Sequence, residues 1–317
     1  MDYTTLGRTG LTVSVAGLGC GGASRLGQTY GNSVGDSVAI VREAMDLGVN
    51  FIDTALAYRT EEIVGEAIKG ERDKVVISSK SLVIRRGASV HSADFCSGDE
   101  MVERVETSLR RLGTDYIDIY HLHGVTAAQV PHCVNEFVPA LQKLRDQGKI
   151  RFIALSERFI SDTTHDAARL ALRHDCWDVL MIGFNFLNPS ARHDVLKQTR
   201  ERDIGVLDMF AVRRALSKPD ALAETLKIAV DAGQLDAAVL KENVLGFLTE
   251  NGVAASLQEA AYRFCRHEPG IDVVLTGTGN KAHLAENLAS INKPPLPADV
   301  LDRLEALFGG VDSISGN

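Results

Sequence analysis

Short apolar runs bounded by Gly, Asp or Asn alternate along the chain with longer segments whose apolar residues recur every three or four positions. The runs Val15 to Gly22, Phe51-Ile52, Val75 to Ser79, Tyr116 to Leu122, Arg151 to Leu155, Val179 to Ile182, Gly205 to Met209 and Asp272 to Leu275 are too short for helices and read as buried strands. Between Asp36 and Leu47, Val38, Ile40, Val41, Ala44 and Met45 share one helical face. The same spacing predicts helices over 61–69, 99–112, 134–147, 162–173, 191–201, 220–231, 257–267 and 282–290. Residues 3 to 14 interleave polar and apolar positions around Gly7-Arg8-Thr9-Gly10, the pattern of a hairpin.

Counted from Val15, each of eight strands is followed by helix, with no linker or break in composition. That rhythm predicts an α/β fold: a (β/α)8 TIM barrel forming a single domain over 1–317, preceded by the hairpin. Active sites of such barrels lie at the C-terminal strand ends. The irregular connections 81–98, 123–133 and 211–219 would therefore ring the mouth. Pro294-Pro295-Leu296-Pro297 reads as a stiff turn into a last helix, Asp299 to Phe308, that closes over one side. Tyr30, Phe95, Phe159 and Phe210 are candidates for a pocket wall, whereas Trp177, just before a strand, reads as packing.

Composition narrows the function. A net charge of −8 without any basic stripe argues against nucleic-acid binding. No apolar stretch is long enough to span a membrane, and Met1 to Thr5 lack the start of a signal peptide. Cys20, Cys96, Cys133, Cys176 and Cys265 show no paired spacing, so reduced thiols in a cytoplasmic protein are expected. The charges Glu100, Glu103, Arg104, Glu106, Arg110 and Arg111 read as a solvated helix face.

Three of the strands run into ionisable residues. Asn50-Phe51-Ile52 ends on Asp53 with Tyr58 five residues on, Val75 to Ser79 runs into Lys80, and Tyr116 to Leu122 runs into His123. A carboxylate leaving an apolar strand is costly unless something pairs with it. Lys80 could lower the pKa of the Tyr58 phenol, Asp53 could hold Lys80, and His123 could donate to a carbonyl oxygen gaining charge. The set suits proton transfer to or from an alcohol or carbonyl. His121 and His123 share a strand face at a spacing also used for metals, but a metal site needs further ligands and sits poorly beside Lys80.

With these residues the chain resembles the aldo-keto reductase family, through Asn50-Phe51-Ile52-Asp53-Thr54-Ala55 with Tyr58, Ile77-Ser78-Ser79-Lys80, and Ser108-Leu109-Arg110-Arg111-Leu112-Gly113-Thr114-Asp115-Tyr116-Ile117-Asp118 leading to His123. The resemblance implies a catalytic set of Asp53, Tyr58, Lys80 and His123, a nicotinamide cofactor, and a small carbonyl or sugar substrate. It places the nicotinamide end near Gly21, Asp53, Ser156, Phe210 and Val212. The adenosine end falls on Gly277, Thr278, Gly279, Asn280, His283, Glu286 and Asn287, where a glycine turn opens a helix.

NADP(H) is the expected cofactor, with NAD(H) open, because the family's usual cations at the extra phosphate are replaced by Gly277 and His283, leaving Lys281. Further departures from the family pattern are Glu157 for an asparagine, Met181 for a glutamine and Met209-Phe210-Ala211-Val212 for a Tyr-Ser-Pro-Leu, with Met209 in the place of the tyrosine; Arg213 or Arg214 is placed to reach the pyrophosphate. The expected function is NAD(P)(H)-dependent interconversion of an aldehyde, ketone or aldose with its alcohol or lactone. Alternatives are a nucleotide-binding regulatory subunit, as in the potassium-channel β-subunit relatives, and a metal-dependent hydrolase barrel.

Overall fold

Local signals in the sequence start and stop the elements. Ser33 and Ser97 cap the helices Val34–Asp46 and Gly98–Leu112: each hydroxyl accepts from the backbone of the third helical residue, whose own carboxylate accepts from the serine N–H. Gly113, in the left-handed region, ends the second of these helices. The helix expected from Asp162 begins only at Asp166, because His165 takes a φ of 63° and the Asp162 carboxylate accepts from Asp166 and Ala167 N–H as a preceding cap.

The computed structural model describes residues 1–241 and 243–317, and of Asn251 the backbone alone. Its strands are β1 (Tyr3–Thr5), β2 (Thr12–Ser14), β3 (Ala16–Gly19), β4 (Phe51–Asp53), β5 (Val76–Leu82), β6 (Ile117–Val125), β7 (Ile150–Glu157), β8 (Val179–Gly183), β9 (Gly205–Met209) and β10 (Val273–Thr276). β1 and β2 form an antiparallel hairpin. β3 to β10 pair in parallel and in order, and β10 returns to β3 to close the barrel. The expected (β/α)8 barrel with its leading hairpin is the fold observed. Lys80 and His123 lie inside β5 and β6, which run further than their apolar patterns suggested.

Two apolar layers hold the barrel. Phe51, Val76, Ile119, Ala154, Val179, Met181, Leu207 and Val273 fill its interior, and Leu6, Leu11 and Val13 of the hairpin join them to plug the N-terminal end. The outward faces of the strands pack against the helices in a second, larger layer that contains Trp177, which is fully buried. The charged helix face is less solvated than expected. Arg104 donates to the carbonyls of Leu82 and Ile84, and Arg111 to that of Leu56, so both brace strand ends. The connection 211–219 also gains a short helix, Arg214–Ser217. Among the described residues no helix is long and apolar enough to cross a membrane.

The last helix, Ala298–Phe308, buries Val300, Leu304 and Phe308. The chain beyond it then crosses toward the loops after β8 and β9. Val311 and Ile314 are buried, Asn188 and Asn185 donate to the carbonyls of Ile314 and Ser315, and Ala215 N–H donates to Gly316 O.

Candidate active site

Register decides which side chains meet. Asp53 is the partner of Ser78 across β4 and β5, Lys80 that of His121, and Leu82 that of His123 across β5 and β6. Side chains two apart on a strand share a face, so Ser78 and Lys80 point inward with Val76, and His121 and His123 with Ile119. Asp53 lies two beyond inward-facing Phe51. The four residues singled out from sequence therefore converge at the C-terminal mouth.

Asp53 and Lys80 form a buried ion pair. Lys80 Nζ stands 2.7 and 2.6 Å from the two carboxylate oxygens of Asp53 and donates to Thr54 O at 2.9 Å. Ser78 Oγ donates to Asp53 Oδ1 at 2.8 Å. Burial alone would depress the Lys80 ammonium, but the Asp53 carboxylate opposes it and leaves Lys80 above its usual range. Sequence reasoning missed Ser78, although its spacing of two from Lys80 put it on the same face.

Tyr58 comes from the 3-10 turn Leu56–Tyr58 after β4, half-buried. Its hydroxyl lies 3.4 Å from His123 Nε2, and Lys80 Nζ sits 5.0 Å from its ring centroid. Gly21 is needed beneath that ring, since a Cβ there would lie 2.3 Å from it. The expected lowering of the phenol's pKa does not prevail. Burial raises it, and Lys80 and, more weakly, Arg213 only partly offset that, so the phenol holds its proton above the usual range. His123 goes the other way: burial and then Lys80 push it down to about 3, so its ring is neutral. Its Nδ1 has no hydrogen-bond partner among the described residues, and Nε2 is the nitrogen that faces the Tyr58 hydroxyl.

The expected cofactor residues divide into two regions. Ser156 faces the barrel axis two residues beyond Ala154, and Phe210 takes a φ of 78° that turns its ring against Phe159 at 5.7 Å, edge to face. Glu157 faces outward, where Oε1 accepts from His165 Nδ1 at 2.8 Å and from Gly183 N–H at 2.9 Å. Met181 is core, 2 % exposed. Glu157 thus ties the end of β7 to His165 and Gly183, and Met181 fills the barrel interior.

At the other region, Asn280 Oδ1 already caps Ala282 and His283 N–H, and Thr278 Oγ1 accepts from Asn280 N–H. Asn287 donates to Thr276 Oγ1, while Glu286 and His283 are exposed. The loop after β3 packs onto this turn, where a Cβ on Gly279 would lie 2.1 Å from Gly27 Cα and Asn32 donates to Gly279 O at 2.9 Å. A depression of about 320 Å³ opens beside it, lined by Asn32, Asp36, Gly279, Asn280 and Lys281 among others. Tyr30 is exposed, and Phe95 in the loop after β5 stacks at 3.8 Å on His132, which lies in a helical turn, Val130–His132, within the connection expected to be irregular.

The donor set fits a nicotinamide dinucleotide: a buried serine hydroxyl and an aromatic ring at the C-terminal ends of the strands, and a glycine turn with a cation, Lys281, at a helix start. For metals, no group of three His, Cys, Asp or Glu side chains among the described residues is placed to hold an ion.

The sequence profile of the aldo/keto reductase family matches residues 18–308. The chain belongs to the aldo/keto reductase family. Among its relatives, an L-galactose dehydrogenase from Arabidopsis thaliana is 26% identical, with 99% of this chain and 97% of the relative covered. An aldo-keto reductase from Bacillus subtilis is 30% identical over 90% of this chain and 87% of its own. The barrel superposes on the holo form of an aldo-keto reductase from Bacillus halodurans with a TM-score of 0.72 at 23% identity, covering 98% of this chain and 97% of that one. Membership in this aldo/keto reductase family implies a nicotinamide-dependent oxidoreductase acting on small carbonyl compounds.

Proposed function

We propose that Tyr58 is the acid and base of an NAD(P)(H)-dependent oxidoreductase that interconverts an aldehyde, ketone or aldose with its alcohol or lactone. The observation that carries this is the Tyr58 hydroxyl, 3.4 Å from His123 Nε2 and next to the Lys80–Asp53 pair. When bound, the nicotinamide supplies or accepts the hydride. Tyr58 Oη gives its proton to the carbonyl oxygen in reduction and takes it back in oxidation. His123, neutral, carries its proton on Nε2 and donates to the same oxygen, orienting it and stabilising developing charge. Lys80 offsets the burial that would otherwise oppose a phenolate, and Asp53 fixes Lys80 in place. A phenol that stays protonated at neutral pH suits the reductive direction.

The relative named L-galactose dehydrogenase brings aldoses into the expected substrate range beside aldehydes and ketones. NADP(H) is the favoured cofactor, with Lys281 as the cation for its extra phosphate. Lys281 stands 3.2 Å from Glu43 in an exposed pair. Such pairs contribute at most about 1 kcal/mol, so this one does not withhold Lys281 from a ligand.

The test is a fluorescence titration with NADPH and NADH, followed by a carbonyl and aldose panel, on wild type and Tyr58→Phe. Loss of turnover by a factor on the order of a hundred or more with unchanged cofactor affinity is expected. Turnover that survives in Tyr58→Phe defeats the assignment; tight dinucleotide binding with no turnover of any compound would favour a regulatory subunit instead.

A further inference from the structure

Arg213 is a cation stretched over the mouth with no counter-charge among the described residues. It follows β9, yet its guanidinium reaches past the end of β10 to the loop after β3: Nη1 lies 4.0 Å from where a Cβ on Gly22 would stand. Gly21, the neighbouring residue, is the one that packs against the Tyr58 ring. The guanidinium carbon sits 4.1 Å above the Phe210 ring. Arg213 Nε donates to Asn317 Oδ1 at 3.0 Å, and Nη2 donates to the same oxygen.

Two features of this arrangement need explaining. No carboxylate among the described residues forms an ion pair with Arg213, and Nη1 has no acceptor among them. Arg213 is half-buried, and a guanidinium drawn even partly out of water gains from an anionic partner. Burial indeed holds Arg213 below its usual range, with only the nearby Tyr58 opposing. The second feature is Phe210, a non-glycine residue in left-handed backbone, a strained conformation that sets its ring beneath the cation. Strain held at a mouth is what a ligand-binding role maintains, whereas a surface arginine needs no such support.

We propose that Arg213 binds an anionic group, a carboxylate or a phosphate, carried by the carbonyl substrate. The free Nη1 faces the side of the mouth where Tyr58 stands, so the anion lies close to the reacting oxygen, and Asn317 and Phe210 hold the guanidinium in orientation. A planar guanidinium with a free donor edge recognises carboxylate and phosphate oxygens better than any neutral group. The rival for this cation is the pyrophosphate of the cofactor, since loops after the last two barrel strands often bind phosphate.

This inference rests on the oxidoreductase reading above, and its test separates the two. Matched pairs are compared: succinic semialdehyde with butanal, glycolaldehyde phosphate with glycolaldehyde, and D-glucuronate with D-glucose. Wild type, Arg213→Gln and Arg213→Lys are each titrated with NADPH and NADH by fluorescence. Wild type is expected to prefer the anionic member of at least one pair. Arg213→Gln should cut that preference in kcat/KM by a factor on the order of ten to a hundred, mainly through KM, and Arg213→Lys should restore part of it. Whether the carboxylate or the phosphate pair responds identifies the anion.

A weakened cofactor affinity in Arg213→Gln with an unchanged anionic preference overturns the proposal and assigns Arg213 to the pyrophosphate. Wild type that turns over neutral carbonyls with no anionic preference overturns it while leaving the oxidoreductase reading intact. Failure to bind dinucleotide or turn over any compound defeats both.

Discussion

At the scale of single residues, the two titratable groups Tyr58 and His123 at the mouth are shifted in opposite senses by burial, which disfavours whichever form is charged. Tyr58 is raised and His123 lowered to about 3. Between about pH 5 and 9 the phenol is therefore protonated and the imidazole neutral. The kcat/KM for carbonyl reduction should be flat across that window, and an inflection near the ordinary histidine value in a steady-state pH profile would refute the neutral His123. Stability carries the complementary signature. Unfolding returns His121 and His123 to an ordinary pKa of about 6.5, where they take up protons that the folded state refuses. The unfolded state then binds more protons, so stability is fully present above that value and declines as pH falls toward the folded pKa values. His121 is buried with both ring nitrogens unpaired among the described residues. Its replacement by Met should flatten the acid limb of a plot of Tm against pH. Lys281→Ala should weaken NADPH binding by a factor of about three to ten while leaving NADH nearly unchanged, as read by fluorescence titration; equal effects on both would remove Lys281 from phosphate recognition.

At the scale of elements, the end of β7 is tied to the end of β8 and to the helix Asp166–Ala171 through one carboxylate. Glu157 accepts from Gly183 N–H and from His165, and both side chains of the Glu157–His165 pair are fully buried. Phe159 stacks on His165 at 5.0 Å and meets Phe210 edge-on, so the pair braces the aromatic wall of the mouth. His165→Ala would leave a buried carboxylate with the Gly183 N–H alone. A loss on the order of 3 kcal/mol is expected in chemical denaturation, and a loss below about 1 kcal/mol would show that the pair is not a brace. None of this was legible in Ser156-Glu157, because the partner lies eight residues on in a loop and its side chain is placed by a single left-handed backbone residue.

For the whole molecule, the hairpin is more than a leader to the barrel. Leu6, Leu11 and Val13 are buried against the barrel interior, and each contributes about 1.5–3 kcal/mol when withdrawn from water. Together they approach the roughly 5–15 kcal/mol by which whole domains are stable. Removing residues 1–14 should therefore abolish the cooperative thermal transition seen by calorimetry; a truncated protein that melts as sharply and at the same temperature would make the plug dispensable. The opposite end of the barrel carries Asp53, Tyr58, Lys80 and His123, with the chain after Phe308 folded beside it.

The sequence by itself determined the order of strands and helices, the closed barrel they form and the four side chains at its mouth. Those features rest on periodicity and on residues at strand ends, which are local properties of the chain. Tertiary structure alone decided that β5 and β6 extend far enough to carry Lys80 and His123 within them, since strand length depends on the neighbour that completes each hydrogen bond. It also decided that burial outweighs Lys80 at Tyr58, that Glu157 pairs with His165 while Met181 turns to packing, and that Arg213 reaches across to the loop after β3. Each of these depends on distances between segments remote in sequence, which fix desolvation and charge pairing and leave no trace in the spacing of residues along the chain.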